Sequence, residues 1–158
     1  MIKIVAVGKI KEKAVRAQIE EYEKRLRPFT KLEIIEVNDE MAPQNNSDAQ
    51  NEAVKEKEGE RLLSKIKDQE YVILLDLWGE MLSSEKFSAK IANLQTYTTP
   101  DITFVIAGSL GPGKNIYKRA NYCWKLSDLT FTHQMTRVLV LEQIYRSFMI
   151  QNNNPYHK

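Results

Sequence analysis

Cysteine occurs once in this 158-residue chain, at Cys123, and histidine twice, at His133 and His157. A single cysteine excludes an internal disulfide framework and fits a reducing compartment. Added to two histidines, it is also a poor inventory for a transition-metal site, so no metal is expected. An excess of one charge is missing too. The 23 Lys+Arg against 21 Asp+Glu leave a net +2, which excludes a global field that seeks polyanions. No stretch approaches the roughly 20 apolar residues of a membrane span. The apolar start "IKIVAVG" is too short for the core of a signal peptide. Repeats, low-complexity segments and interdomain linkers are absent as well. These absences leave a soluble, cytoplasmic protein as the expectation, with no membrane partner.

What is present suits one folded domain over residues 1–158. Hydrophobic residues make up 42% and charged residues 28%, enough to bury a core without disorder. "IKIVAVG" is short, β-branched and stopped by glycine, the signature of a buried strand. "KAVRAQIEEYEKRL" carries Val15, Ile19, Tyr22 and Leu26 at helical spacing and stops before Pro28. "KLEIIEV", "YVILLDLWG" and "DITFVIAG" read as three more strands. The segment Asn38–Ser47 reads as a loop. Ser47 and Gln50 form a capping-box pattern opening a charged helix to about Lys67, and Ser84 is placed to cap "EKFSAKIANLQTY". "IYKRANYCWK" reads as a helix, and Thr132 caps a last helix from His133 to about Gln151. Strands alternating with helices predict an α/β fold with a mostly parallel sheet.

Three stretches could carry chemistry. Gly108–Lys114 in "GSLGPGKN" satisfies the first seven positions of a phosphate-binding P-loop after a strand. Asn115 then stands where a magnesium-binding Ser or Thr is needed, and too little chain follows to complete such a fold. Glycines at the carboxyl end of a parallel strand also let a backbone approach a ligand closely. The last helix, "HQMTRVLVLEQIYRSFMIQ", is apolar nearly all round, so one side faces the sheet and another suits a second copy of the chain. On it Glu142 and Arg146 sit at i,i+4 in the order that favours an ion pair. His133 and Arg137 share a face but cannot pair, so Arg137 needs a partner from elsewhere in the fold or an anion such as phosphate. Finally, the chain ends in "PYHK". The Lys/Glu alternation from Lys55 to Lys67 reads as a solvated helix face.

Several segments together carry a family resemblance: "IVAVGKIKEK", "YEKRL", "KEGERLLSKI", "LDLWGEMLSSEKF", "FVIAGSLG" and "LTFTHQMTRVLVLEQIYRSFMIQNNNPYHK". Over its full length the chain resembles the ribosomal RNA large subunit methyltransferase H family, a minimal SPOUT-class group. The resemblance implies an α/β domain with a C-terminal trefoil knot, acting as a homodimer. It implies S-adenosyl-L-methionine (SAM) as methyl donor and N3 of a pseudouridine in 23S rRNA, within the ribosome, as target. By position, the donor pocket would be lined by Leu75, by Ala107 and Gly108, and by Leu126, Ser127, Asp128, Leu129, Thr130 and Phe131. Tyr156 and His157 would lie nearest the target base, with Arg137, His133 and Arg146 in support and the tail reaching the partner's pocket. The family usually has two glycines where this chain has Ala107-Gly108, which would weaken binding if the first needs φ > 0. Two other readings stand beside it: a P-loop-like nucleotide-binding protein using Gly108–Lys114, and a non-catalytic ribosome-binding factor.

Overall fold

The computed structural model describes residues 1–42, 45 and 47–158, so the loop expected over Asn38–Ser47 lies partly outside the described residues. Five strands, β1 (Ile2–Val7), β2 (Leu32–Val37), β3 (Tyr71–Met81), β4 (Ile102–Ile106) and β5 (Tyr122–Lys125), form one sheet in the order β2-β1-β4-β3-β5. Every neighbouring pair runs parallel. Helices α1 (Lys13–Leu26), α2 (Asp48–Leu63), α3 (Ser84–Tyr97) and α4 (Lys114–Arg119) connect successive strands, and α5 (His133–Gln151) follows β5.

The apolar run of β1 is continuous because both faces of the sheet are covered. Ile2, Ile4 and Ala6 point into one cluster with Phe104, Trp124 and the apolar sides of α1, α3 and α5. Val5 and Val7 point the other way, against Leu62 of α2 and Ile116 of α4. Lys3 interrupts the run without breaking it. Its ammonium lies 2.6 Å from Glu70, whose other oxygen accepts a hydrogen bond from Thr103 Oγ1 at 2.9 Å. That buried network closes the amino-terminal end of the sheet and leaves the carboxyl end for a site.

The α/β class and parallel sheet match the expectation, and so do α1, the Ser47/Gln50 capping box and the Thr132 cap on α5. Four details differ. "IYKRANYCWK" is not one helix but α4 followed by β5. Asn121 makes the change: its N–H donates to the Val72 carbonyl and its Oδ1 accepts from the Val72 N–H, so the chain enters the sheet there. Helix α2 ends at Leu63, with Ser64 as its cap, rather than near Lys67. The cap of α3 is Ser83, whose hydroxyl accepts from the Lys86 N–H. Ser84 is the first helical residue and donates to Gln143 of α5 instead.

The fourth difference shapes the site. β3 runs two residues beyond Gly79, and its pairing with β5 slips between Leu75 and Glu80, both of which lie opposite Trp124. The intervening residues bow out of the ladder as a wide bulge. Gly79 makes the return possible, because a Cβ there would sit 2.6 Å from the Cys123 carbonyl oxygen. Backbone cannot yield as a flexible side chain can. Gly79→Ala is therefore expected to lower stability by about 1–3 kcal/mol in urea unfolding. The exposed variant Lys114→Ala should stay within about 0.5 kcal/mol of the parent in the same experiment.

Candidate active site

In an open parallel sheet, ligands bind outside the carboxyl ends of the strands where the strand order reverses. Here that point lies between β1 and β4, since the chain leaves β1 towards β2 and leaves β4 towards β5. Two cavities occupy this end of the sheet. The larger, about 370 Å³, is walled by the β3 bulge, the loop after β4, the segment after β5 and the first turn of α5. The smaller, about 210 Å³, lies between the end of β1, the loop after β2, α2 and the same β4 loop. Gly108, Ser109, Leu110 and His133 line both.

Of the pocket residues expected from the sequence, Leu75, Ala107, Gly108, Leu126, Ser127, Leu129, Thr130 and Phe131 line the larger cavity. Asp128 does not; its carboxylate lies 2.6 Å from the Lys125 ammonium. Among the described residues, 126–131 make no backbone-to-backbone hydrogen bond, and of their N–H groups the Leu129 N–H donates to Ser127 Oγ at 3.0 Å. Backbone groups left open in this way call for partners from a ligand or water. Ala107 is not among the residues with positive φ, so the missing glycine carries no backbone strain.

The bulge adds residues the sequence reading did not single out for the site. Asp76 and Trp78 line the larger cavity, as does Tyr117 of α4. Asp76 Oδ1 accepts from the Tyr117 hydroxyl at 2.7 Å and from the Trp78 N–H at 3.2 Å. Burial and this carboxylate push the Tyr117 phenol well above its ordinary range. Trp78 itself stands 89% exposed at the mouth. No periodicity marks these residues, because the bulge arises from pairing with β5, which the sequence reading had merged into a helix.

Arg137 finds its partner inside the fold. It is 3% exposed, with Nη1 2.6 Å from Glu36 of β2 and Nη2 donating to the carbonyls of Val7 at 2.8 Å and Gly8 at 2.6 Å. The side chain thus ties the first turns of α5 to the carboxyl ends of β1 and β2. His133, one turn earlier, is thereby held at the wall shared by the two cavities. Burial, and secondarily the Arg137 charge, push its pKa below the ordinary 6.5, so the imidazole is neutral at neutral pH.

Arg146, Tyr156 and His157 gather at the far end of α5. The Arg146 guanidinium pairs with Glu142 and lies 4.8 Å from the centre of the Tyr156 ring. The Tyr156 hydroxyl donates to Glu142 at 3.0 Å, and burial with that bond pushes its pKa up to about 12. His157 Nδ1 lies 3.1 Å from Arg146 Nη1, and Nε2 lies 2.8 Å from Glu85. Because arginine only donates, Nδ1 is the acceptor and Nε2–H points at Glu85. At 1.5 Å per residue, the 13 residues from His133 to Arg146 put this cluster about 20 Å along the helix from the cavity wall. The structure therefore brings His133 to the cavities, holds Arg137 just behind it on the carbonyls of Val7 and Gly8 at the smaller cavity's edge, and keeps Arg146, Tyr156 and His157 at the other end of the helix.

The P-loop pattern does not form a phosphate cradle. Gly113 is packed against α2, where a Cβ would sit 2.8 Å from the Lys55 carbonyl oxygen, and Lys114 opens a six-residue helix with its side chain exposed.

A family model described as "Predicted SPOUT methyltransferase" matches residues 1–157. Proteins named ribosomal RNA large subunit methyltransferase H match at full length. The one from Latilactobacillus sakei is 53% identical and that from Lactobacillus delbrueckii subsp. bulgaricus 54%, each over 99% of both chains. The Finegoldia magna protein is 52% identical over the same span. A solved structure of a probable methylase family protein from Haemophilus influenzae shares the fold at TM-score 0.55 and 16% identity, covering 96% of this chain and 66% of that one.

Removing the Arg137 guanidinium would free the base of α5 and leave the Val7 and Gly8 carbonyls without their donors, while Glu36, partly exposed, keeps the Ile10 N–H. Arg137→Met is expected to cost about 2–4 kcal/mol in urea unfolding, the loss typical of leaving two carbonyls unsatisfied. If the side chain instead serves only to grip a bound anion, stability will hold and ligand affinity alone will fall.

Proposed function

This chain belongs to the SPOUT methyltransferase family and is a methyltransferase, and from that premise we propose that it methylates N3 of a pseudouridine in large-subunit rRNA, using SAM. The observation that carries the reading is the larger cavity at the carboxyl end of the sheet, between β3, β4 and β5, with its open backbone groups over 126–131. They suit an adenine, which offers both donors and acceptors along one edge, and Leu75, Leu126 and Leu129 suit its faces. SAM supplies a sulfonium-bound methyl, an electrophile that needs no metal.

When bound, SAM would supply the methyl to N3 of the base, the sulfur–carbon bonding pair remaining on sulfur. The N3 proton must go to an acceptor, because the nitrogen is a poor nucleophile while it keeps that proton. We assign this role to His133, whose neutral imidazole is on the cavity wall and has no hydrogen-bond partner among the described residues. His157 is the competing acceptor, but its Nδ1 lone pair is turned to Arg146 and opens only if that contact breaks. Tyr156, with its pKa raised to about 12, stays protonated and acts as a donor.

The tail cannot cover its own cavity from about 20 Å along α5. We propose that the protein works as a cytoplasmic homodimer in which one copy's Tyr156 and His157 close over the other copy's cavity. The trefoil knot belongs with this reading, as does a ribosome that presents the rRNA to a protein of net charge +2.

Titrating SAM into the purified protein should release or absorb heat with a single class of sites, whereas magnesium-ATP should give none. Methyl transfer to ribosomes lacking the modification should follow. His133→Gln should depress turnover and abolish the fall in rate on the acid side, which in the parent begins below the ordinary histidine pKa of 6.5. If that acid limb persists in His133→Gln and vanishes in His157→Ala, the tail histidine is the acceptor. Binding of ATP without SAM would overturn the whole reading.

A further inference from the structure

We propose that the smaller cavity is a subsite for a primary ammonium group, with Glu58 as its counter-charge, and that it takes the amino-acid end of the methyl donor. The inference rests on the larger cavity's being the donor pocket.

Glu58 is 5% exposed, and among the described residues it forms no ion pair. One carboxylate oxygen accepts from the Glu40 N–H at 3.1 Å. The other lies against the β4 loop, where a Cβ on Gly108 would meet it at 2.7 Å. Arg61, the cation whose charge acts on Glu58, is paired with Glu40 and also donates to the Asn38 carbonyl. Burial accordingly pushes the Glu58 carboxyl above its ordinary range. A buried, unpaired carboxylate costs stability, and here Gly108, lacking a Cβ, leaves the room for it. The arrangement gains sense when a ligand brings the missing positive charge.

The rest of the wall agrees. Asp39 adds a second acidic group, and His133 across the cavity is neutral, so no cation competes. The Ser109 and Leu110 N–H groups donate to no acceptor among the described residues, which leaves two donors for a carboxylate beside the ammonium. Both cavities share this loop, so a molecule with its base in the larger one extends its far end into the smaller. The target base is a weaker candidate for this place. An acidic wall would raise the cost of losing its N3 proton.

The test is a calorimetric comparison of the parent with Glu58→Gln, which keeps the shape and can still accept from the Glu40 N–H. The probes are SAM, S-adenosylhomocysteine, which has the ammonium but no sulfonium, and 5′-methylthioadenosine, which has neither. Loss of a buried charge-assisted bond should weaken the first two by about ten-fold or more and leave the third within about two-fold. The variant should also melt higher than the parent at pH 7–8, because the raised pKa means the parent's charge opposes folding above that pKa and not below the ordinary 4.5. Weakening of SAM alone would assign the carboxylate to the sulfonium and overturn the ammonium subsite. Unchanged affinity for both charged probes would overturn it too. Should the variant fold poorly, the parent decides: equal affinity for S-adenosylhomocysteine and 5′-methylthioadenosine would refute an ammonium subsite. Failure of the parent to bind any of the three would count against the donor pocket itself.

Discussion

Everything at the active end of this protein hangs on one arginine side chain. Arg137 sits on the helix that follows the last strand, yet its guanidinium is spent on Glu36 of β2 and on the carbonyls that close β1. Those carbonyls have no strand partner left to donate to them, and the arginine supplies the missing donors. In return α5 is fixed at one height and one rotation over the sheet. Four residues earlier, the same helix delivers His133 to the wall between the two cavities. A lysine could supply charge but not a planar fork able to reach a carboxylate and two carbonyls together.

The two ends of α5 have divided tasks. Its first turn belongs to the cavity, while its last turns and the tail form a separate cluster of Glu142, Arg146, Tyr156 and His157 with Glu85 of α3. Tyr145 packs edge-on against Tyr156 at 5.0 Å, so the tail is held by aromatic contact as well as by charge. A chain ending in asparagines, proline, tyrosine and histidine is held in place because every side-chain polar atom of Tyr156 and His157 has a partner. A cluster so far from the cavity has a use in the proposed reaction only when a second copy brings the two together.

The sequence made some of this plain and hid the rest for physical reasons. Elements governed by local rules were legible: β1 from its β-branched run, α1 from four residues at helical spacing, α5 from its Thr132 cap. Open backbone groups such as those of 126–131 have no side-chain signature, so those residues emerged only from the family resemblance. β5 was missed because its pairing depends on Asn121 contacting Val72, 49 residues away, and the β3 bulge was lost with it. Glu58 was read as part of a solvated face. The signal that might have found it is the spacing Val54, Glu58, Leu62, which puts a carboxylate in the buried stripe of α2. Arg137 stood out correctly as a charge needing a partner, but no sequence rule could say that the partner was Glu36, 101 positions earlier.

In the proposed homodimer, each site is built from one copy's cavity and the other copy's tail. The most direct test mixes two inactivated proteins, one lacking the tail residues 155–158 and the other carrying Ala107→Leu in the cavity, after mild denaturation and refolding together. Random pairing should make half the dimers mixed, each with one intact site of two, restoring about a quarter of the parent's methyl transfer. Mixtures that stay as inactive as their components would contradict the account and confine each tail to its own chain.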